Sequence, residues 1–386
     1  MGMTIVTDCT VLDGTAQMQP LAGQTLVIDG EKLVTVSNRS LEGNGDNLFH
    51  LMGHYILPGL IDLRSVLTSF SVRKLGGSPI HCARLRLKCS GNAQRMVMNG
   101  ITTTAVTDCG GAESLVRDWI SSANVDGSRV LAGGISILPK GMTKDRFAPM
   151  DDTEARNCIE QLSIAGKPDL YRIVAACRGK RMDSDILKAC CEAGSAAGGR
   201  VIVYADEVDA VREALQYGVA AIEHGARMDE ETARMYHETG AALLVSLSNL
   251  VLSGSKEKQE LQYAISCAQD ASAYEIPIGL GSGGGENGVP LGAMWREIYW
   301  YAKLTGVNCA AALHSATAVN AKISGLDHWV GRIAPDMCAD LFVTDRSPLE
   351  DLTALREPTL LFVRGVALTP PRKKKTLKDI KLDQLL

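Results

Sequence analysis

Large aromatic side chains are scarce in this chain, with 5 Phe and 4 Trp in 386 residues against 38 Gly. That ratio favours many tight strand–helix turns over an aromatic-rich surface. Net charge is also small: 40 Lys and Arg against 44 Asp and Glu leave −4, so neither nucleic acid nor an anionic membrane is an expected partner. Long apolar runs are missing. No segment approaches the ~18 residues of a membrane span, and the opening MGMTIVTDCTVLDG has no basic region followed by an apolar stretch. Neither export nor membrane insertion is expected, and the cytoplasm is the expected compartment. Zinc-type spacing is missing too. The 11 Cys form no C-x-x-C pair and sit mostly in apolar runs, as Cys177 does in YRIVAAC and Cys267 in YAISCAQ, so they read as small core residues in a reducing environment.

What is present is the composition of a soluble globular protein, 46% hydrophobic and 22% charged. The first fifty residues read as short strands and Asp-Gly turns, in TIVTDCTVLDG and QTLVIDGEKLVTVSN. A second strand-rich piece, GRIAPDMCADLFVTD and TLLFVRGVAL, lies near the end. Between them eight apolar runs recur: HYILPGLIDLR, GITTTAVTD, SRVLAGGISI, LYRIVAAC, RVIVYAD, VAAIEHG, AALLVSL and IPIGLGS. Stretches of helical period such as DEVDAVREALQYG separate them. Parallel strands need crossover helices, so eightfold alternation predicts an α/β protein with a (β/α)8 TIM barrel. The two strand-rich ends are expected to pair into a small separate sheet. The tail, PPRKKKTLKDIKLDQLL, reads as a solvated basic segment or a docking segment for a partner.

Four stretches resemble the amidohydrolase superfamily, in the branch of imidazolonepropionase and Xaa-Pro dipeptidases. They are LPGLIDLR, NGITTTAVTDCGG, GVAAIEHGARMDEETARMYHETGAALLVSLSN and AALHSATAVNAKISGLDHWVGRIAPDMCADLFVTDRSPLED. The resemblance runs from about residue 5 to residue 365. It implies a distorted barrel over residues 55–330 and a β-sandwich built from 1–54 and 331–370, with 371–386 as a basic tail. It also implies hydrolysis of C–N bonds, with metal ions at the strand C-termini turning water into a nucleophile.

The resemblance fixes which positions carry those metals, and this chain departs from the pattern at five of the six. The strand-one His-x-His pair is Arg64 and Val66. The strand-four lysine is Arg172, the strand-five histidine is Tyr204, and the strand-eight aspartate is Gly283, with Ser282 in place of the preceding threonine. Only the strand-six histidine, His224, is kept. A guanidinium has no free lone pair and stays protonated, so Arg64 and Arg172 repel a divalent cation. Tyr204 binds a metal only as phenolate, at a cost set by a pKa of about 10. His50 and His54 stand four apart but precede PGLID, and no H-x-H or H-x-x-x-H pair occurs at a strand end.

The expectation is therefore a chain with no metal and no cofactor. Arg64, Arg172, Tyr204 and Ser282 would bind a small anionic molecule, and His224 is the candidate acid–base residue. Buried arginines need counter-charges. Asp62, Asp108, Asp206 and Glu223 are the internal candidates, and a carboxylate or phosphate ligand is the external one. Arg178, Lys180 and Arg181 would add positive charge to the mouth, and Cys109 and Cys177 end strands as candidate nucleophiles. Two other readings stay open: a metal-independent hydrolase or lyase of a cyclic amide, lactone or acidic amino-acid derivative, and a zinc-dependent amidohydrolase with a relocated site. Homo-oligomerisation is left open.

Overall fold

The computed structural model describes residues 2–39, 47–68, 79–108, 111–142, 147–253, 258–286 and 288–371. Cys109 and nearly all of the basic tail lie outside these residues. All eight apolar runs of the middle region contain a strand. Strands one to three, Leu60–Ser65, Ile101–Val106 and Arg129–Ala132, form one parallel sheet. Strands four to eight, Leu170–Cys177, Arg200–Ala205, Ala221–His224, Ala242–Val245 and Ile278–Leu280, form a second, with Lys180–Arg181 added antiparallel at its edge. The two sheets meet through single parallel bridges, Ser65 to Gly284 and Ile137 to Ile173. The expected closed barrel is thus described as two sheets touching at both edges, without a continuous hydrogen-bonded ladder around the ring.

These strands are buried on both faces, which is why they read as apolar runs rather than alternating ones. Even the three threonines of strand two, Thr102 to Thr104, are buried. The helices between strands start where the sequence supplies caps. Asp151 accepts from the amide of Glu154 at the start of Asp152–Gly166, and Asp229 accepts from Thr232 at the start of Glu230–Thr239. Gly240 ends the latter with φ 69°. No described helix is long and apolar enough to cross a membrane.

The two chain ends come together, but as one sheet. Thr4–Val11, Leu21–Asp29, Lys32–Ser37 and Leu48–His50 join Leu341–Thr344, Leu360–Val363 and Val366–Leu368 through a shared strand, Tyr55–Pro58. That strand pairs parallel with Thr4–Val11 on one side and antiparallel with Leu341–Thr344 on the other. The strands form a single eight-stranded hydrogen-bonded sheet where a two-sheet sandwich was expected. HYILPGLIDLR, expected as one strand, is accordingly two. The break is at Gly59, where a Cβ would stand 2.2 Å from Thr102 Oγ1.

Gly100 locks the two parts together. It precedes strand two at φ +79°, and a Cβ there would lie 2.1 Å from the ring of Phe342. Phe342 is fully buried in the chain-end sheet. Gly100→Ala is expected to destabilise the protein by at least ~1–3 kcal/mol through overpacking, with left-handed strain added. The urea midpoint of the purified variant measures this; an unchanged midpoint would show that the contact yields freely.

Candidate functional site

The parallel strands deliver their last residues to a cavity of ≈ 380 Å³. Its floor is an ionic cluster centred on Glu223, the next-to-last residue of strand six. Arg172 clasps that carboxylate with Nε at 2.6 Å from Oε2 and Nη2 at 3.1 Å from Oε1. Arg64, from strand one, reaches the same carboxylate with Nη1 at 2.7 Å, and its Nη2 pairs with Glu286 at 2.8 Å. Two guanidinium groups and two carboxylates balance. The remaining Nη1 of Arg172 donates to Ser136 Oγ at 3.2 Å, and that hydroxyl donates to Asp108 at 2.8 Å.

Burial by itself would push the Glu223 carboxyl up. The guanidinium groups of Arg172 and Arg64 outweigh it and hold the pKa at about 2. Burial likewise works against the charge on Arg172, and Glu223 overrides it and raises the pKa. The group is a permanent cation.

Above this floor stands an aromatic wall. The His224 ring stacks between Tyr204, 5.3 Å away, and Tyr263, 6.1 Å away. Burial lowers the His224 pKa, so the imidazole is neutral at neutral pH. Burial also pushes the Tyr204 phenol up, further from phenolate. His224 has φ 73°, a left-handed conformation rare for a residue with a Cβ. Such strain, seen beside a cavity, is a mark of functional sites.

The expected site residues divide. Arg64, Arg172, Tyr204 and His224 line the cavity together with Glu223, and Ser282 does not. Ser282 is fully buried beneath it, donating Oγ–H to Asp62 at 2.5 Å and its amide to the same carboxylate at 2.8 Å. Burial raises the pKa of Asp62 to about 6 against these bonds. Arg172 does not sit at the end of its strand. It is the third of eight residues, and Val174 is the register partner of Tyr204, so Arg172 lies two residues deeper and forms floor rather than mouth. Of the four proposed internal counter-charges only Glu223 pairs with the arginines. Asp62 serves Ser282, Asp108 serves Ser136, and Asp206 accepts from the amide of Arg178 at 2.7 Å.

Glu286 was missed. A carboxylate in the Gly-rich loop GGGENG was the only signal, and nothing in the sequence says which way that loop folds. At the rim, Arg178 pairs with Glu260 at 2.8 Å. Lys180 also lines the cavity and has no ion pair among the described residues. Burial raises the pKa of Cys177, which disfavours the thiolate a nucleophile needs. Among the described residues no three His, Cys, Asp or Glu side chains are grouped so as to hold a metal ion.

Removing the shared carboxylate leaves two half-buried cations facing each other. Glu223→Gln is expected to cost roughly 3–5 kcal/mol, read as a drop in the denaturant midpoint. The pH dependence follows from the lowered pKa. The stabilisation by Glu223 is complete above the ordinary carboxylate range and is lost as pH falls toward 2. The stability gap between wild type and variant should therefore narrow across that acid window; a gap constant with pH would contradict it.

No protein-family model matches the chain. Uncharacterized proteins of Mycobacterium bovis and Mycobacterium tuberculosis are each 26% identical to it over 193 residues, 48% of this chain. The match spans about half of those curated relatives, 52%. Among solved structures, a Bifidobacterium longum protein assigned as a prolidase has a TM-score of 0.88 at 26% identity, covering 99% of this chain and 98% of that one. A Xaa-Pro dipeptidase with methionine bound in its active site has a TM-score of 0.84 at 20% identity, over 95% and 100% of the two chains. Molinate hydrolase follows at 0.79 and 18%, over 97% and 99%. These structural neighbours are amidohydrolase-superfamily members, and the chain shares their fold.

Proposed function

We propose that this chain is an amidohydrolase-fold protein whose strand-end site works without a metal and takes a small anionic molecule. The carrying observation is the clasp of Glu223 between Arg64 and Arg172, at two of the positions where the resemblance puts metal ligands. Neither guanidinium has a lone pair to give a metal, and their pairing occupies the Glu223 carboxylate. Val66 and Gly283 offer no donor, and Tyr204 is held as a phenol by burial. A single neutral imidazole, His224, is too few donors for zinc. The residues present do not fit the metal that the fold family implies. In its place the chain has an internal network of two guanidinium groups and two carboxylates.

The same pairing changes how an anion would be held. Both floor arginines already have carboxylate partners, so the ligand charge falls to Lys180 at the rim, with Arg178 beside it. The cavity wall includes Leu138, Val174 and Leu250, which suits a ligand with an apolar body and one acidic group. One observation favours a second reading, catalysis without metal. A neutral His224, strained and facing the cavity, is in the protonation state a general base requires. The substrate would then be a cyclic amide, a lactone or an acidic amino-acid derivative, the bond types that water addition opens.

Protein purified without chelators should carry far less than one zinc per chain. Two tightly held equivalents would overturn the proposal and support a relocated metal site. Succinate or phosphate should raise the melting temperature, and Lys180→Ala should weaken that effect about tenfold, equivalent to ~1.4 kcal/mol. His224→Asn separates the two readings. Binding is kept in both, while any turnover of cyclic amides or lactones must vanish if His224 is the base.

A further inference from the structure

The end of the molecule that carries the cavity also carries two surfaces of opposite charge, apart from the cavity itself. The first is half a helix. Between Asp62 and Asp108 the sequence has seven cations, Arg64, Arg73, Lys74, Arg84, Arg86, Lys88 and Arg95, and no carboxylate. The helix Pro79–Val97 buries side chains only from Cys89 onward. Of its first ten residues, about 15 Å of helix, Leu85 packs against the main core and His81 and Cys82 are half-buried, while the others face outward. They expose Ile80 at 67% and Leu87 at 71% beside Arg84, Arg86 and Lys88, and these three cations form no ion pair among the described residues. Because this helix follows strand one, it starts at the C-terminal end of the strands.

The second surface is a groove of ≈ 650 Å³ between the first turns of the helices Asp152–Gly166 and Ser184–Ala196. These helices follow strands three and four, so they too start at the C-terminal end. Asp151, Asp152, Asp183 and Asp185 line the groove and are exposed. Of its two cations, Arg156 is already paired with Glu192 at 3.1 Å, which leaves Lys188 alone against the four carboxylates. Met150, 51% exposed, supplies an apolar side chain in the same groove.

We propose that residues 79–88 of one copy dock in the acidic groove of a second copy. The chemistry matches on both counts: three cations with no ion pair among the described residues meet a groove whose carboxylates outnumber its cations, and Ile80 and Leu87 gain an apolar neighbour in Met150. Both surfaces lie at the same end of the strands, so a two-fold axis lets each copy give its helix and receive the other's, which makes the contact closed and self-complementary. An anionic membrane fits the helix but is repelled by the groove at the same end of the strands. The pairing does not depend on what the cavity binds.

Charge reversal tests the proposal on the full-length chain, with light scattering behind size exclusion as the readout and circular dichroism to confirm folding. Wild type should run at twice the chain mass. The helix variant R84E/R86E/K88E and the groove variant D152K/D183K/D185K should each run at the chain mass. An equal mixture of the two variants has complementary surfaces at both contacts and should return to twice the chain mass. A wild type at the chain mass, a helix variant still paired, or a mixture that stays apart would each overturn the proposal, as would cosedimentation of unpaired wild type with phosphatidylserine vesicles.

Discussion

One carboxylate, Glu223, holds the centre of this molecule in place. Two arginines from strands on opposite sides of the ring converge on it, Arg64 from strand one and Arg172 from strand four. Either guanidinium alone in a buried setting carries a desolvation cost of several kcal/mol. Sharing Glu223, with Glu286 completing the charge balance, turns that cost into a cross-link between the two sheets. The sheets themselves touch only through single bridges at their edges, so this ionic centre supplements a thin backbone connection.

That centre also sets what the cavity can do. In a site built around a metal, electron-pair donors converge on an external cation. Here the cations are part of the chain and the acceptors are its own carboxylates, so the floor is electrically closed before any ligand arrives. The groups left facing the cavity are the neutral imidazole of His224 and, at the rim, Lys180, which has no ion pair among the described residues. The neighbours of this fold include hydrolases of several kinds, and sharing their architecture leaves the site to speak for itself.

Much of the fold was legible in the sequence because periodicity is local. Strands buried on both faces announce themselves as apolar runs. What was misread depended on contacts distant in sequence. HYILPGLIDLR reads as one apolar run, and its division between two sheets at Gly59, packed against Thr102, shows only in the structure. Arg172 looked like a strand-end residue because its neighbours match a pattern; the register with strand five puts it two residues lower. Ser282 looked polar and available, yet it is committed to Asp62 beneath the cavity floor.

By itself the sequence determined the identity and charge of the groups at the strand ends, and through hydrophobic pattern the order of the eight strands. Those properties belong to single residues or to short windows, and no packing is needed to know that an arginine lacks a lone pair. Only the tertiary structure decided which carboxylate each arginine meets, and that Glu286 joins them from a loop 222 residues away. Pairing is a matter of distance in space, and Coulomb attraction between side chains far apart along the chain leaves no periodic trace in the sequence.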